Sequence, residues 1–185
     1  MQTRRAFLGT AAMVALAGCG GNGQTPESPG GLTVTSPAFD EGASIPAQFT
    51  ADGADESPPL HVEGVPGGAR TLALVVDDPD APSGTFTHWL VWSIPADRRQ
   101  LPAGIPQQQT VADLGSARQG TNAFGEIGYR GPAPPEGDGP HTYRFTVYAI
   151  DVDPDIDAGA ERGALETALS GTVVASGRLT GEYER

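Results

Sequence analysis

The stretch "TLALVVDDPDAPSGTFTHWLVWSI", residues 71–94, contains two apolar runs separated by a corner rich in proline. The first run, 71–78, is almost continuously apolar and has the length of a strand, which predicts a β-strand buried on both faces. The second run, 88–94, alternates, and side chains two positions apart lie on the same face of a strand. One face is therefore expected to carry His88, Leu90, Trp92 and Ile94. The stretch predicts two strands joined by a stiff turn.

The corner holds two carboxylates on a backbone with little freedom. Asp78 precedes Pro79, which pushes the backbone of Asp78 into an extended conformation. Pro79 fixes its own φ, and Pro82 extends the stiff region beyond Asp80. Such a turn loses little conformational entropy on folding. Asp78 and Asp80 are therefore candidate ligand-binding residues, although an aspartate in a turn often bonds to its own backbone.

A second stretch, "GPAPPEGDGPHTYRFTVYAID" over 131–151, has the same order of a corner, a histidine and an alternating run. One face of this strand is expected to carry His141, Tyr143, Phe145, Val147 and Ala149. His88 and His141 thus each follow a corner and begin an apolar strand face. If the two strands lie near one another, both imidazoles converge with Asp78 and Tyr143 at the open end of the core. The spacing alone leaves that adjacency open.

The remaining segments predict further strands and one helix. Residues 32–39 and 172–184 favour strands, and 158–171 has apolar residues at helical spacing with Gly171 as a stop signal. Many short strands, glycine and proline turns and one late helix are typical of a mostly antiparallel β-domain. We therefore predict a mostly β fold, a β-sandwich or a related Greek key, over residues 32–185.

The candidate side chains suit three kinds of chemistry. Imidazoles, a phenol and backbone N–H groups of glycine-rich turns can hydrogen-bond a small anion such as phosphate. Two histidines and a carboxylate can hold a metal ion, and a histidine–aspartate pair can act as a general base. The histidines lack the short spacing typical of metal sites, and no Gly-x-Ser-x-Gly elbow is present. We therefore favour anion binding without catalysis, metal or cofactor, and keep a small hydrolase that uses His88 or His141 as an alternative.

The charged residues argue against one class of partner. All 11 basic residues are arginines, and the formal net charge is −12 at pH 7. A surface of this charge repels nucleic acid and anionic lipid headgroups. An acidic chain without lysine also suits a salt-rich environment, where screening weakens self-repulsion. We expect no nucleic-acid partner, and we predict a halophilic protein that unfolds at low ionic strength.

The N-terminus resembles an export signal that ends in a lipid anchor. Two adjacent arginines, typical of twin-arginine export, precede an apolar stretch, 6–17, that is short for a membrane span. Cys19 follows the lipobox-like residues Leu-Ala-Gly and is the only cysteine. We predict a signal peptide over 1–18, a lipid on Cys19 and a flexible tether over 19–31. Export would leave the protein anchored to the outer face of the cytoplasmic membrane as a lipoprotein.

The two corner stretches and "ALSGTVVASGRLTGEYE", 168–184, resemble the phosphatidylethanolamine-binding protein family, in its bacterial and archaeal Raf kinase inhibitor-like branch. The resemblance runs from Leu32 to the C-terminus. It implies a β-sandwich with a small cavity that binds phosphate, acetate or a phosphoryl headgroup. It also implies a set of ligand-binding residues. These are Asp78, Asp80, His88, Pro134, Pro135, His141 and Tyr143.

The chain differs from known family members at two positions of this site. Five residues separate Pro82 from His88, where eukaryotic relatives have a longer segment that supplies a pocket tyrosine. Phe86 is the only aromatic residue in this short segment, and it has no hydroxyl to bind phosphate. Ala133 lies where many prokaryotic relatives carry cysteine. Because family members have been associated with protease inhibition, an inhibitor that binds an envelope protein through its loops is a further alternative.

Overall fold

The structure is a computed structural model that describes residues 31–185. The predicted signal peptide, Cys19 and the predicted tether up to residue 30 lie outside the described residues. The elements are β1 (Thr33–Thr35), β2 (Ala43–Ser44), a 3-10 helix (Ala47–Phe49), β3 (Leu60–Glu63), β4 (Thr71–Asp78), β5 (Phe86–Pro95), β6 (Gln100–Leu101), β7 (Thr110–Val111), a second 3-10 helix (Ala112–Leu114), β8 (Ala117–Gln119), β9 (His141–Ile150), α1 (Arg162–Leu169) and β10 (Val173–Tyr183).

Three central strands bring the two proline-rich corners together. β4 lies between β5 and β9 and is antiparallel to both. Because antiparallel neighbours run in opposite directions, the end of β4 lies beside the beginnings of β5 and β9. Asp77 accordingly pairs with Thr87 on one side and with Arg144 on the other. The corners therefore meet at one end of the sheet, which is the adjacency that the sequence left open.

Two sheets and one helix form the layers of the fold. The larger sheet has the order β2–β10–β9–β4–β5–β8–β7, and the smaller has the order β1–β3–β6. Leu60 and Val62 of the smaller sheet pack in one core cluster with Trp89 of the larger sheet. The other face of the larger sheet is covered by α1, through Leu165 and Leu169. These layers confirm the predicted mostly β sandwich with one helix.

β4 has its predicted bounds, 71–78, and is buried on both faces. Its even-numbered residues from Leu72 face the smaller sheet, and its odd-numbered residues from Ala73 face the helix. A strand covered on both sides has apolar residues at successive positions, which explains the continuous run in the sequence. The same alternation places Asp77 on the helix side and Asp78 on the side of the smaller sheet.

The predicted alternation of β5 is wrong at Ile94. The register between β4 and β5 shifts between Leu72 and Leu74, which marks a β-bulge. Ser93, within this bulge, has a φ of 58°, in the left-handed region. The extra residue reverses the alternation, so Ile94 joins the core between the sheets with Trp89.

The alternation is also wrong at His88. The register shifts a second time, because β4 residues 76–77 lie opposite Trp89 and Thr87. His88 therefore has no residue opposite it in β4, as expected of a β-bulge. Its side chain lies on the side of the sheet that carries Trp89, and not beside Leu90 as predicted. The bulge directs the imidazole toward the open end of the core between the sheets.

Two other elements are shorter than predicted. The strand predicted over 32–39 is β1, with three residues, and the helix predicted over 158–171 is α1, with eight. Gly159 has a φ of 88°, which excludes it from the helix. Leu165 and Leu169 are buried, as the predicted helical spacing requires. In the described part of the chain, no helix has the length and apolar character needed to cross a membrane.

Candidate ligand-binding site

A cavity of about 280 Å³ opens where β4 ends and where β5 and β9 begin. Both proline-rich corners contribute to its wall, because the strand order brings them to the same end of the sheet. The lining residues are Asp78, Ala81, Pro82, Ser83, Phe86, His88, Phe124, Ala133, Pro134, Pro135, His141 and Tyr143. The volume is at the lower limit for small-molecule sites, so the cavity suits a small ligand.

One wall of the cavity carries an ion pair between Asp78 and His141. His141 Nδ1 donates to Asp78 Oδ2 over 2.8 Å, and each side chain is 5% exposed. His141 Nε2 lies 3.5 Å from the carboxylate of Asp138. The hydrogen bond to Asp78 raises the pKa of His141, and burial opposes this rise only in part. A protonated His141 therefore neutralises Asp78, and each of its ring nitrogens has a carboxylate beside it.

His88 lines the cavity, and only its Nδ1 makes a hydrogen bond within residues 31–185. Its Nδ1 lies 2.7 Å from the carbonyl oxygen of Arg130, and because a carbonyl only accepts, Nδ1 carries a hydrogen. Nε2 therefore holds a lone pair in the neutral ring and becomes a donor in the protonated ring. Burial lowers the pKa of His88, and the hydrogen bond to the Arg130 carbonyl opposes this only in part. The two histidines of the cavity thus have pKa values shifted in opposite directions.

Tyr143 supplies a buried hydroxyl without a partner. The residue is 0% exposed, and its ring centroid lies 5.2 Å from that of His88, with the rings nearly perpendicular. Its Oη makes no hydrogen bond of good geometry within residues 31–185, although the Asp78 carboxylate and the Ala133 backbone lie close enough to influence its pKa. Burial raises the pKa of Tyr143, so the phenol stays neutral and keeps its proton. Because buried polar groups are nearly always hydrogen-bonded, an unpaired hydroxyl in a cavity wall marks a place for a ligand atom or a water.

The structure brings six of the seven predicted ligand-binding residues into the cavity wall and places Asp80 outside it. Pro134 and Pro135 line the cavity from the second corner. Asp80 Oδ2 accepts a hydrogen bond from the Thr142 N–H over 2.9 Å, and the Asp80 N–H donates to Asp78 Oδ1 over 2.8 Å. Asp80 therefore ties the first corner to β9 and holds Asp78 in position.

Phe124 is a lining residue that the sequence analysis missed. It lies in the loop between β8 and β9, and its ring centroid is 4.8 Å from that of Phe86 and 5.5 Å from that of His88, in edge-on contacts. A loop has no hydrophobic periodicity, so the only available signal was one aromatic residue in a polar segment. The position of this loop depends on tertiary contacts, which the sequence pattern does not show.

The arrangement offers two hydrogen-bonding atoms, Tyr143 Oη and His88 Nε2, beside a neutralised ion pair. No arginine or lysine lines the cavity in the described part of the chain. Arg130, close to the second corner, is paired with Asp55 over 3.0 Å and with Glu126 over 3.1 Å. Residues 31–185 contain no group of three or more His, Cys, Asp or Glu side chains placed to hold a metal ion. These atoms suit the recognition of a single small acidic group.

Known proteins resemble nearly all of the described chain. Residues 35–184 match the profile of the family described as phosphatidylethanolamine-binding protein. A UPF0098 protein of Pyrococcus horikoshii is 46% identical over 168 residues, which cover 91% of this chain and 82% of that protein. LppC, named as a candidate lipoprotein of Mycobacterium tuberculosis, is 39% identical over 99% of this chain and 96% of its own length.

A solved structure has the same architecture. The crystal structure of Escherichia coli YbcL, described as a member of the mammalian phosphatidylethanolamine-binding protein family, has a TM-score of 0.78 to this chain. The two are 32% identical, and the match covers 83% of this chain and 98% of YbcL. The order of layers derived above therefore recurs in an experimental structure of a similar sequence.

Proposed function

The chain belongs to the phosphatidylethanolamine-binding protein family, and we propose that its cavity binds a small anion, phosphate or a phosphoryl headgroup, without catalysing a reaction. Tyr143 and His88 contact the anion in this proposal, and the Asp78–His141 pair completes the wall behind them. Pro134 and Pro135 shape the rim. Asp80 does not contact the anion in this proposal, and its backbone N–H holds the carboxylate of Asp78 in position.

The observation that carries this proposal is the unpartnered hydroxyl of Tyr143. A buried donor left without a partner costs about 1–3 kcal/mol. An anion oxygen that accepts this hydrogen bond removes the cost, and a bond to a charged acceptor is stronger than one between neutral groups. A bound anion should therefore stabilise the folded protein.

A protonated His88 is the charge in the cavity that favours an anion, and because burial lowers the pKa of His88 this charge is present in acid solution. His141 balances Asp78 in the ion pair, so this carboxylate repels a negative ligand only weakly, whereas Asp138 beside the other nitrogen of His141 adds a negative charge at a more exposed position. A protonated His88 adds one positive charge beside Tyr143. Local groups have to provide this attraction, because the whole chain, with a net charge of −12, repels anions at longer range.

The substitution Tyr143→Phe tests the proposal through the melting temperature. In the parental protein, acetate or phosphate at a hundredfold excess over Kd should add about 2.7 kcal/mol, which is a rise of roughly 5–10 °C for a chain of this size. Tyr143→Phe should remove most of this rise. It should change the melting temperature without anion only slightly, because the lost hydroxyl makes no hydrogen bond of good geometry within residues 31–185.

Tyr183→Phe is the matched control for this experiment. Its hydroxyl donates to Asp52 over 2.8 Å at an exposed position, and it does not line the cavity. This variant should keep the anion-dependent rise, whereas His88→Ala, a second variant in the wall, should lose it. The proposal is contradicted if neither anion stabilises the parental protein or if Tyr143→Phe keeps the full rise.

We further propose that the protein is exported and held at the outer face of the cytoplasmic membrane by a lipid on Cys19. The M. tuberculosis relative named as a candidate lipoprotein aligns over 99% of this chain, which includes the predicted export signal. Cys19 is the only cysteine, and it directly follows the predicted signal peptide over 1–18. This location would place the cavity among envelope lipids and envelope proteins, either of which could supply a partner.

Cell fractionation of Cys19→Ser tests the anchor. The parental protein should be found in the membrane fraction, and its intact mass should include the lipid. The serine variant should move to the soluble exported fraction, because serine has no thiol to accept a lipid. Asn22→Ser, a substitution in the predicted tether, should leave the protein in the membrane fraction. Membrane attachment of Cys19→Ser, or an unmodified Cys19 in the parental protein, would exclude a lipid at this position.

The other interpretations of the sequence stay predictions. The hydrogen bond between His141 and Asp78 is also what a hydrolase with a histidine–aspartate general base would need. An inhibitor that binds an envelope protein and adaptation to high salt have no specific contact in the described residues that favours them over anion binding.

A further inference from the structure

Phe124 is exposed at the mouth of the cavity. It is 41% exposed, and Val152 is the only other large hydrophobic residue that is exposed within residues 31–185. Unlike Val152, Phe124 belongs to a continuous apolar surface, because it contacts Phe86 and lines the cavity together with Pro82 and Pro135. An apolar surface that continues into a cavity is typical of a ligand-binding site.

The loop that carries Phe124 is held by hydrogen bonds that are buried or partly buried. Asn122, which is 4% exposed, accepts from the N–H groups of Phe124 and Glu126 over 2.9 and 3.1 Å and donates to the Gly128 carbonyl over 2.9 Å. The guanidinium of Arg130 lies 5.4 Å from the centroid of the Phe124 ring. Phe124 is therefore positioned before a ligand arrives, which lowers the entropic cost of binding.

The cavity has a buried polar floor and a more exposed apolar mouth. The floor consists of the Asp78–His141 pair, His88 and Tyr143, and each residue as a whole is at most 4% exposed. The mouth consists of Pro82, Phe86, Phe124 and Pro135, which are exposed or half-buried. A ligand that fills both parts needs an acidic group at one end and an apolar body at the other.

The floor fits a carboxylate better than a phosphate dianion. His88 can add a single positive charge that is not already paired with a carboxylate, which favours a monoanion. Tyr143 Oη and protonated His88 Nε2 are two donors, and they match the two oxygens of a carboxylate. Both nitrogens of His141 already face carboxylates, so a third phosphate oxygen gains no further donor from that ring.

The cavity is larger than the acidic group of a small ligand such as acetate. Its volume of about 280 Å³ corresponds to roughly nine waters at about 30 Å³ each. Acetate fills only a small part of this space and leaves the mouth to water. An apolar group of the ligand that replaces this water buries the apolar surface of the mouth, and this burial favours binding.

We propose that the cavity selects a carboxylic acid monoanion with a flat apolar body, with the carboxylate at Tyr143 and His88 and the body against Phe86 and Phe124. The inference rests on the proposed anion site and adds a ligand class and a residue, Phe124, that determines specificity. Aromatic groups suit this mouth, because edge-on contacts with phenylalanine rings add to the burial of apolar surface.

Isothermal titration of the full-length protein with benzoate, acetate and inorganic phosphate at mildly acid pH tests the inference. Benzoate should bind about tenfold or more tightly than acetate. Phosphate, which is mainly the monoanion H2PO4− at this pH, should bind no more tightly than acetate because the floor offers only two donors. Phe124→Ala should weaken the binding of benzoate by about three- to tenfold and should change the affinity for acetate by less than about twofold. Val152→Ala, at the other exposed hydrophobic residue, should change neither.

The outcomes separate this inference from the proposed anion site. If acetate binds and benzoate binds no better, the anion site stands and the selective apolar mouth is wrong. If Phe124→Ala weakens the binding of benzoate and of acetate equally, Phe124 supports the polar floor of the cavity and does not select the ligand. If no anion binds to the parental protein, both proposals fail.

Discussion

Replacing Asp78 with alanine is expected to lower the free energy of unfolding by about 3 kcal/mol, measured by urea denaturation below the ordinary histidine pKa of about 6.5. The change removes one partner of a buried ion pair and leaves His141, with a side chain 5% exposed, without its short hydrogen bond. It also removes the oxygen that accepts from the Asp80 N–H. The remaining imidazolium stays desolvated, so breaking the pair costs more than the pair itself contributes.

The loss should depend on pH with a definite sign. The pKa of His141 in the folded protein is raised above its ordinary value, chiefly by the hydrogen bond to Asp78. The contribution of the pair to stability is therefore complete below about pH 6.5 and is lost as the pH rises through the raised pKa. The difference in stability between the parental protein and Asp78→Ala should shrink across that range.

Asp80→Ala provides the control, because it removes a neighbouring carboxylate that has no histidine partner. Its carboxylate accepts one exposed hydrogen bond, from the Thr142 N–H, so the loss should be about 1 kcal/mol or less. If both variants lose the same free energy of unfolding, the buried ion pair contributes no more to stability than an exposed contact. A loss for Asp78→Ala that does not vary with pH would show that His141 is not its titrating partner.

The affinity for acetate is expected to fall about tenfold for each unit of pH above the pKa of His88 in the free protein. Neutral His88 presents a lone pair on Nε2 to the anion, whereas protonated His88 presents a donor, so binding takes up one proton. Burial lowers the pKa of His88 below the ordinary value of about 6.5. The fall should therefore begin in mildly acid solution and continue through neutral pH.

Isothermal titration in two buffers with different ionisation enthalpies measures this proton uptake directly. Uptake should approach one proton per acetate at neutral pH, and His88→Gln, which cannot titrate, should bind weakly with little dependence on pH. His61→Gln changes a half-buried histidine in β3, outside the cavity wall, and should keep the slope. A flat parental profile would contradict proton-linked binding, and an unchanged slope in His88→Gln would assign the proton to another group.

Several features of the fold follow from local patterns. β4 was predicted with its observed bounds, because a continuous apolar run of strand length needs burial on both faces. The face of β9 from Tyr143 to Ala149 was predicted correctly, because side chains alternate strictly along a strand without a bulge. The same rule was wrong for His88 and Ile94, where bulges in β5 add a residue to one strand.

By itself, the sequence determined the chemical groups of the site and their stiff supports, because residue types and proline restraints are local properties. Only the tertiary structure decided that these groups share one cavity, since β4 pairs with β5 and β9 across long separations in the chain. It also placed Phe124 in the wall and Asp80 outside it. It gave the two imidazoles opposite pKa shifts, because burial and partners, not residue type, set the charge of a side chain.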